Sequence, residues 1–250
     1  MEPHIEQGPI LEAANVTLGA VTGVQGIRWY DVSIEGQSAH AGSTPMEHRA
    51  DAMVAAARLV CEADEIAGRR APEGRATVGT LAVGTGSRNT VAGSVSLTVD
   101  LRHPDAAELK AMHDELLAFA DGPAFGLQPD SAALSGVNQP GAALSGVDQP
   151  SGRSLPRPRI TPIWYSPPIV FDRQVIEALR AGAAAAGFEP VDITSGAGHD
   201  ACYVLQVAPT GMLFIPCADG LSHNEAESIL PEHATAGAQA TLNAVLVLAG

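Results

Sequence analysis

Residues Ser94 to Leu101 alternate without a break, with Val95, Leu97, Val99 and Leu101 set against Ser94, Ser96, Thr98 and Asp100. Successive side chains of an extended chain point to opposite faces, so this stretch reads as a strand with one buried and one solvated face. Such a strand needs neighbours and a covering layer, and the flanking sequence offers both. Ile27 to Ile34 reads as a strand with Tyr30, Val32 and Ile34 on one face; Ala76 to Val83 and Arg159 to Tyr165 supply two more. Thr44-Pro45-Met46-Glu47 predicts a helix start, with Thr44 as N-cap, Pro45 at the first position and Glu47 closing a capping box. Ala50, Met53, Val54, Ala57, Val60 and Cys61 continue it at helical spacing. A second helix over Asp105 to Ala120 turns Leu109, Met112, Leu116 and Phe119 inward.

The resulting order, β-α-β-β-α-β, is the split arrangement of a ferredoxin-like α+β unit. Residues 122–157 interrupt it and are expected to form a flexible insertion. Within them AALSGVNQPG at 132–141 is followed by AALSGVDQPS at 142–151, a tandem duplication too short and too polar for a solenoid. After Pro167-Pro168 the pattern changes to helices alternating with short strands: helices over Phe171 to Gly187, Asp200 to Val207 and Pro231 to Leu248, strands over Val191 to Ile193 and Gly211 to Pro216. This is α/β material. The first residues are too few to fold alone, so the expected organisation is an α/β domain built from 1–25 and 166–250, with 26–165 inserted.

Net charge is −14, which argues against nucleic acid or an anionic membrane as partner, since both call for basic surface. No apolar run is long enough to span a bilayer. MEPHIEQGPILE has no basic stretch followed by an apolar one, so no signal peptide is expected. Cys61, Cys202 and Cys217 form no C-x-x-C pair and read as reduced, mostly buried thiols of a cytoplasmic protein.

Four short stretches carry the chemistry: His4-Ile5-Glu6-Gln7-Gly8, Ser38-Ala39-His40-Ala41-Gly42, Gly196-Ala197-Gly198-His199-Asp200 and Ser222-His223-Asn224-Glu225. Each sets a histidine beside small residues or a second polar group. Imidazole binds zinc through a neutral ring nitrogen and can donate to a carbonyl or an oxyanion. Taken singly, each is weak, because a lone histidine near a strand end is usually solvated or structural, and His199-Asp200 could be a simple helix cap. His48, His103, His113 and His233 read as surface or structural residues. The case rests on all four stretches occurring together.

In that combination the chain resembles the amidase, hydantoinase and carbamoylase branch of the M20 metallopeptidase-like superfamily. The matching stretches are HIEQGPILE at 4–12, GQSAHAGSTPMEHRADA at 36–52, SRNTVAG at 87–93, VDLRHPD at 99–105, SGAGHDA at 195–201 and GMLFIPCADGLSHNEAE at 211–227. The resemblance implies an M20-type α/β catalytic domain with an inserted ferredoxin-like lid that forms a homodimer. It implies that His4 and His223 are ligands of a paired divalent-metal site, zinc or manganese first and cobalt or nickel as further candidates. It assigns substrate contacts to Gln7, Asn89, Arg102 and His199, with Asn89 and Arg102 on a carboxylate, and makes His40 the group that polarises the scissile carbonyl, often across a dimer interface. Bottom-up chemistry is compatible: a guanidinium grips a carboxylate bidentately, and a neutral imidazole donating to a developing oxyanion is a sound electrostatic catalyst.

The implied reaction is metal-assisted hydrolysis of a ureido or amide C–N bond in a small carboxylate-bearing substrate, with a glutamate as general base. The family's remaining ligands, in an H-x-D pair and a Glu-Glu pair, precede HIEQG and have no counterpart in this sequence. The catalytic domain is therefore expected to be incomplete at its N-terminal side, with weak metal binding and little activity. Two further readings stay open. One is an aminoacylase- or peptidase-like member of the same superfamily, against which HIEQG and GAGHDA argue. The other is a non-catalytic remnant that dimerises or binds a ligand through the inserted domain.

Overall fold

The computed structural model describes residues 1–84, 86–127 and 155–250. They fall into two units, Ile27–Ser166 and Met1–Gly26 with Pro167–Gly250. The repeat at 132–151 lies outside the described residues.

In Ile27–Ser166 the alternating stretch forms the strand Ser94–His103. The antiparallel sheet runs Pro158–Ser166, Gly26–Glu35, Ser94–His103, Arg75–Thr77, with Leu81–Val83 also on Ser94–His103. The helices Ala52–Gly68 and Ala106–Ala120 cover one face. Tyr30, Val32 and Ile34, then Val95, Leu97, Val99 and Leu101, meet Leu59, Ile66, Leu109, Met112 and Leu116 there in one core. This is the split β-α-β topology expected from the order of elements.

Three local readings are corrected. Thr44 does not start a helix: Pro45 sits at φ −58°, ψ 154°, Met46–His48 is a single 3-10 turn, and Arg49 is extended again. The helix begins at Ala52, where the Asp51 carboxylate accepts from Met53 N (3.1 Å) and Val54 N (3.3 Å). A carboxylate on an extended residue satisfies the unpaired N–H groups of the first turn, and it overrides the earlier Thr-Pro signal. The strand expected over Ala76 to Val83 is two pieces, separated where Thr98 N donates to Thr80 O (3.2 Å). Residues 122–157 are not an insertion from end to end. Phe125–Leu127 pairs in parallel with Leu155–Pro156, and Phe125 and Leu155 are fully buried in the core, which leaves their backbone no solvent partners.

In the other unit, Glu2–Ile5 runs parallel to Met212–Ile215, which is antiparallel to Gly19–Val24. Val191–Ser195 joins Gly19–Val24 in parallel and Ile169–Val170 joins it antiparallel. Met212–Ile215 is buried on both faces, as its unbroken apolar run requires. Leu213 and Ile215 pack against the helices Arg173–Ala185 and Pro231–Ala249, while Met212 and Phe214 face Leu11, Ile193 and Ala201. The two helices approach so closely at Gly182 that a Cβ there would lie 2.3 Å from Ala240 O. Of the cysteines only Cys217 is buried and Cys61 is exposed, contrary to expectation. Among the described residues no helix is long and apolar enough to cross a membrane.

Candidate functional site

Parallel pairing of Glu2–Ile5 with Met212–Ile215 sets His4 opposite Phe214, so the loops that follow leave the sheet side by side. That is where α/β sheets gather ligand-binding groups. Glu6 is buried, and its two carboxylate oxygens accept from Ile10 N (2.8 Å) and Leu11 N (2.7 Å), pinning the first loop. Gln7 holds φ 59° and donates through Nε2 to Ser222 Oγ at 3.0 Å. Gly220 at φ 64° lets the second loop pass Pro9, whose nitrogen would lie 2.7 Å from an added Cβ. His223 N donates to Glu227 Oε2 at 3.2 Å. His4, Gln7, Ser222, His223 and Glu227 thereby line one cleft of about 560 Å³.

Two histidines meet at this sheet edge. His4 Nδ1 lies 2.8 Å from the Ile5 carbonyl, an acceptor, so Nδ1 is the donor and Nε2 is the ring nitrogen left to bind a ligand. A backbone carbonyl in that role is the usual outer support of a metal-ligating imidazole. His199 packs edge-on against His4, ring centroids 4.7 Å apart, and its Nε2 is 2.7 Å from Ser195 Oγ. Burial, reinforced by His4 and opposed by Asp200, brings its pKa down to about 4, so it is neutral at pH 7. Glu2 stands two residues before His4 on the strand, hence on the same face. Its carboxylate accepts from Ala201 N (2.8 Å), and the ligand atoms of Glu2, His4 and His199 lie within 4.8 Å of one another. Two imidazoles and a carboxylate are a fitting donor set for a divalent metal. Glu2 went unnoticed in the sequence, although the E-x-H spacing on a strand is the signal for it.

In Ile27–Ser166, Ala39–His40 pairs with Thr90–Val91, and Ala41 N donates to Asn89 O (2.8 Å), bringing His40 and Asn89 together. His40 Nδ1 accepts from Gly42 N (3.1 Å) and Ser43 N (3.2 Å), which puts its proton on Nε2. Arg49, also missed in the sequence, braces the same loop by donating to Thr44 O (3.0 Å) and Ala41 O (2.5 Å). Arg102 lies elsewhere. Gly36 N donates to Gly93 O at the His40 end of the sheet, whereas Arg102 pairs with Arg75 near the far end of Ser94–His103. Eight residues of extended chain separate Ser94 from Arg102, roughly 26 Å at the usual rise of a strand. The structure therefore does not bring Asn89 and Arg102 together within one chain. Arg102 is held by Asp100, whose oxygens accept from Nε (3.0 and 3.1 Å) and Nη2 (2.5 Å).

The profile of peptidase family M20/M25/M40 matches residues 1–246. The chain is 39% identical over 245 residues to an N-carbamoyl-L-amino-acid amidohydrolase of Rhizobium meliloti, covering 98% of this chain and 52% of that protein. It is 29% identical to the allantoate amidohydrolase of Escherichia coli K12, covering 91% of this chain and 49% of that one. Among solved structures, an amidase of the hydantoinase/carbamoylase family from Burkholderia multivorans superposes with a TM-score of 0.83 at 43% identity, over 98% of this chain and 53% of that one. The chain thus spans about half the length of the relatives it matches.

Proposed function

The chain belongs to peptidase family M20/M25/M40, and on that premise we propose that it hydrolyses a non-peptide C–N bond in a small carboxylate-bearing ureido compound, foremost an N-carbamoyl-L-amino acid. The observation that carries this reading is His4, whose Nδ1 is tied to the Ile5 carbonyl and whose Nε2 is left to bind a ligand, sharing a cleft with Gln7 and His223. His4 and His223 are the proposed ligands of a divalent metal, zinc or manganese first, which when bound supplies Lewis-acid polarisation of a carbonyl and acidification of water.

The chain's own residues have separate tasks. Gln7, fixed by Ser222, and His199, kept neutral by burial, are the proposed substrate contacts beside His4. His40 carries its proton on Nε2 and donates to the carbonyl oxygen as negative charge develops there. Asn89 binds beside His40, and Arg102, oriented by Asp100, pairs with the substrate carboxylate. The separation of His40 and Asn89 from Arg102 along one strand supports a homodimer through Ile27–Ser166, in which one substrate meets Arg102 of one protomer and His40 and Asn89 of its partner.

Ammonia release from N-carbamoyl-L-leucine, 3-ureidopropionate and allantoate, with zinc or manganese added, tests the reading against a dipeptide control. The expected result is slow turnover of a ureido substrate by the 250-residue chain, abolished by His40→Ala. Faster cleavage of the dipeptide would overturn it in favour of a peptidase.

A further inference from the structure

The solvent face of the Ile27–Ser166 sheet carries Ser96, Thr98 and Asp100, yet it also exposes large apolar side chains. Ile163 is 50% exposed, Trp164 42% and Trp29 39%. Trp29 and Trp164 are paired across adjacent strands with ring centroids 4.5 Å apart. Exposed apolar groups clustered in this way mark binding surfaces more often than scattered ones do. They border a groove of about 300 Å³ lined by Trp29, Thr77, Thr98, Asp100 and Ile163, within the size range of small-molecule sites.

The groove has a charged end. Asp100 is part of its wall and accepts from Arg102 Nε and Nη2, so a guanidinium is held in one orientation beside the groove. We propose that this groove receives the apolar side chain of an N-carbamoyl amino acid whose carboxylate pairs with Arg102, making Trp29 and Ile163 specificity-determining residues. The proposal rests on the role given to Arg102 above. It separates the substrate classes by their chemistry. 3-Ureidopropionate has no side chain to place between Trp29 and Ile163, and the second ureido group of allantoate would lose its water there with the Asp100 carboxylate already engaged by Arg102 and threonine hydroxyls as the remaining side-chain partners.

The chain's two tryptophans are Trp29, in the groove wall, and Trp164, packed against it, so its tryptophan emission reports on this face of the sheet. Emission is titrated with N-carbamoyl-L-leucine, N-carbamoylglycine and 3-ureidopropionate. The leucine compound is expected to shift it saturably, with an affinity at least about tenfold above that of the glycine compound, the scale set by a few buried methylenes. Ile163→Ser should weaken the leucine compound several-fold and leave the glycine compound unchanged, whereas Arg102→Gln should weaken both. Equal affinities, no response to any compound, or emission that follows protein concentration because a second copy covers the patch would each overturn the proposal. Discrimination in binding without hydrolysis would overturn only the hydrolase reading; hydrolysis indifferent to the side chain would overturn only the groove.

Discussion

His199 meets His4 edge to face, with the two ring planes at 68° and the buried Nε2 of His199 turned to Ser195 Oγ. Two imidazoles in contact cannot both take up protons without repulsion, and the more deeply buried one gives way. Burial of the imidazole is the first cause of the low pKa of His199, and this repulsion adds to it.

The pH dependence follows from its sign. Between about 4, the folded value, and 6.5, the ordinary value, the unfolded chain binds a proton that the folded chain does not. Stability of the metal-free protein should therefore rise with pH across this window and fall as pH drops through it, by at most about 2 kcal/mol between pH 7 and pH 5. Urea unfolding at the two pH values checks this, with His199→Gln flattening the difference. An unchanged pH slope in the variant would contradict it.

Calorimetric titration with zinc should give no more than one equivalent, bound weakly. His4 is common to the proposed pair with His223 and to the cluster with Glu2 and His199, so the two cannot be filled at once, and Glu2 is already engaged by Ala201 N. His4→Ala should abolish binding, Glu2→Gln should weaken it about tenfold or more, and His48→Ala should leave it intact. Two tight equivalents would refute this account of the donor set.

Replacing Asp51 with Ala should cost about 1 kcal/mol in chemical denaturation, because Met53 N and Val54 N lose their acceptor. Thr44→Ala, at the position the sequence nominates as the cap, should cost distinctly less. The reverse order would restore Thr44 as the helix start.

Gly220→Ala combines a left-handed backbone with a Cβ placed 2.7 Å from Pro9 N, and should destabilise by about 1–3 kcal/mol. Gly68→Ala, at the end of a helix with nothing within 4 Å, should be stabilising by up to about 1 kcal/mol. Thermal melts of the two variants shifting in the same direction would count against this reading of the loop beside His223.

Much of the architecture was legible without coordinates, because alternation in Ser94–His103, helical spacing in Ala106–Ala120 and Pro231–Ala249, and the apolar run at Met212–Ile215 are local consequences of which faces must leave water. The histidine stretches were equally visible, since their meaning lies in residue type and order. Tertiary structure decided what depends on partners distant in sequence. Glu2–Ile5 is a strand because it finds Met212–Ile215, and Phe125 and Leu155 are core because they find each other. Asp51 caps a helix that Thr44 seemed set to begin. Above all, the tertiary structure set His199 against His4 and joined His40 to Asn89 while holding both a strand's length from Arg102. The alternation that made Ser94–Leu101 the plainest feature of the sequence says which residues share a face; only the paired sheet says how far apart its two ends lie.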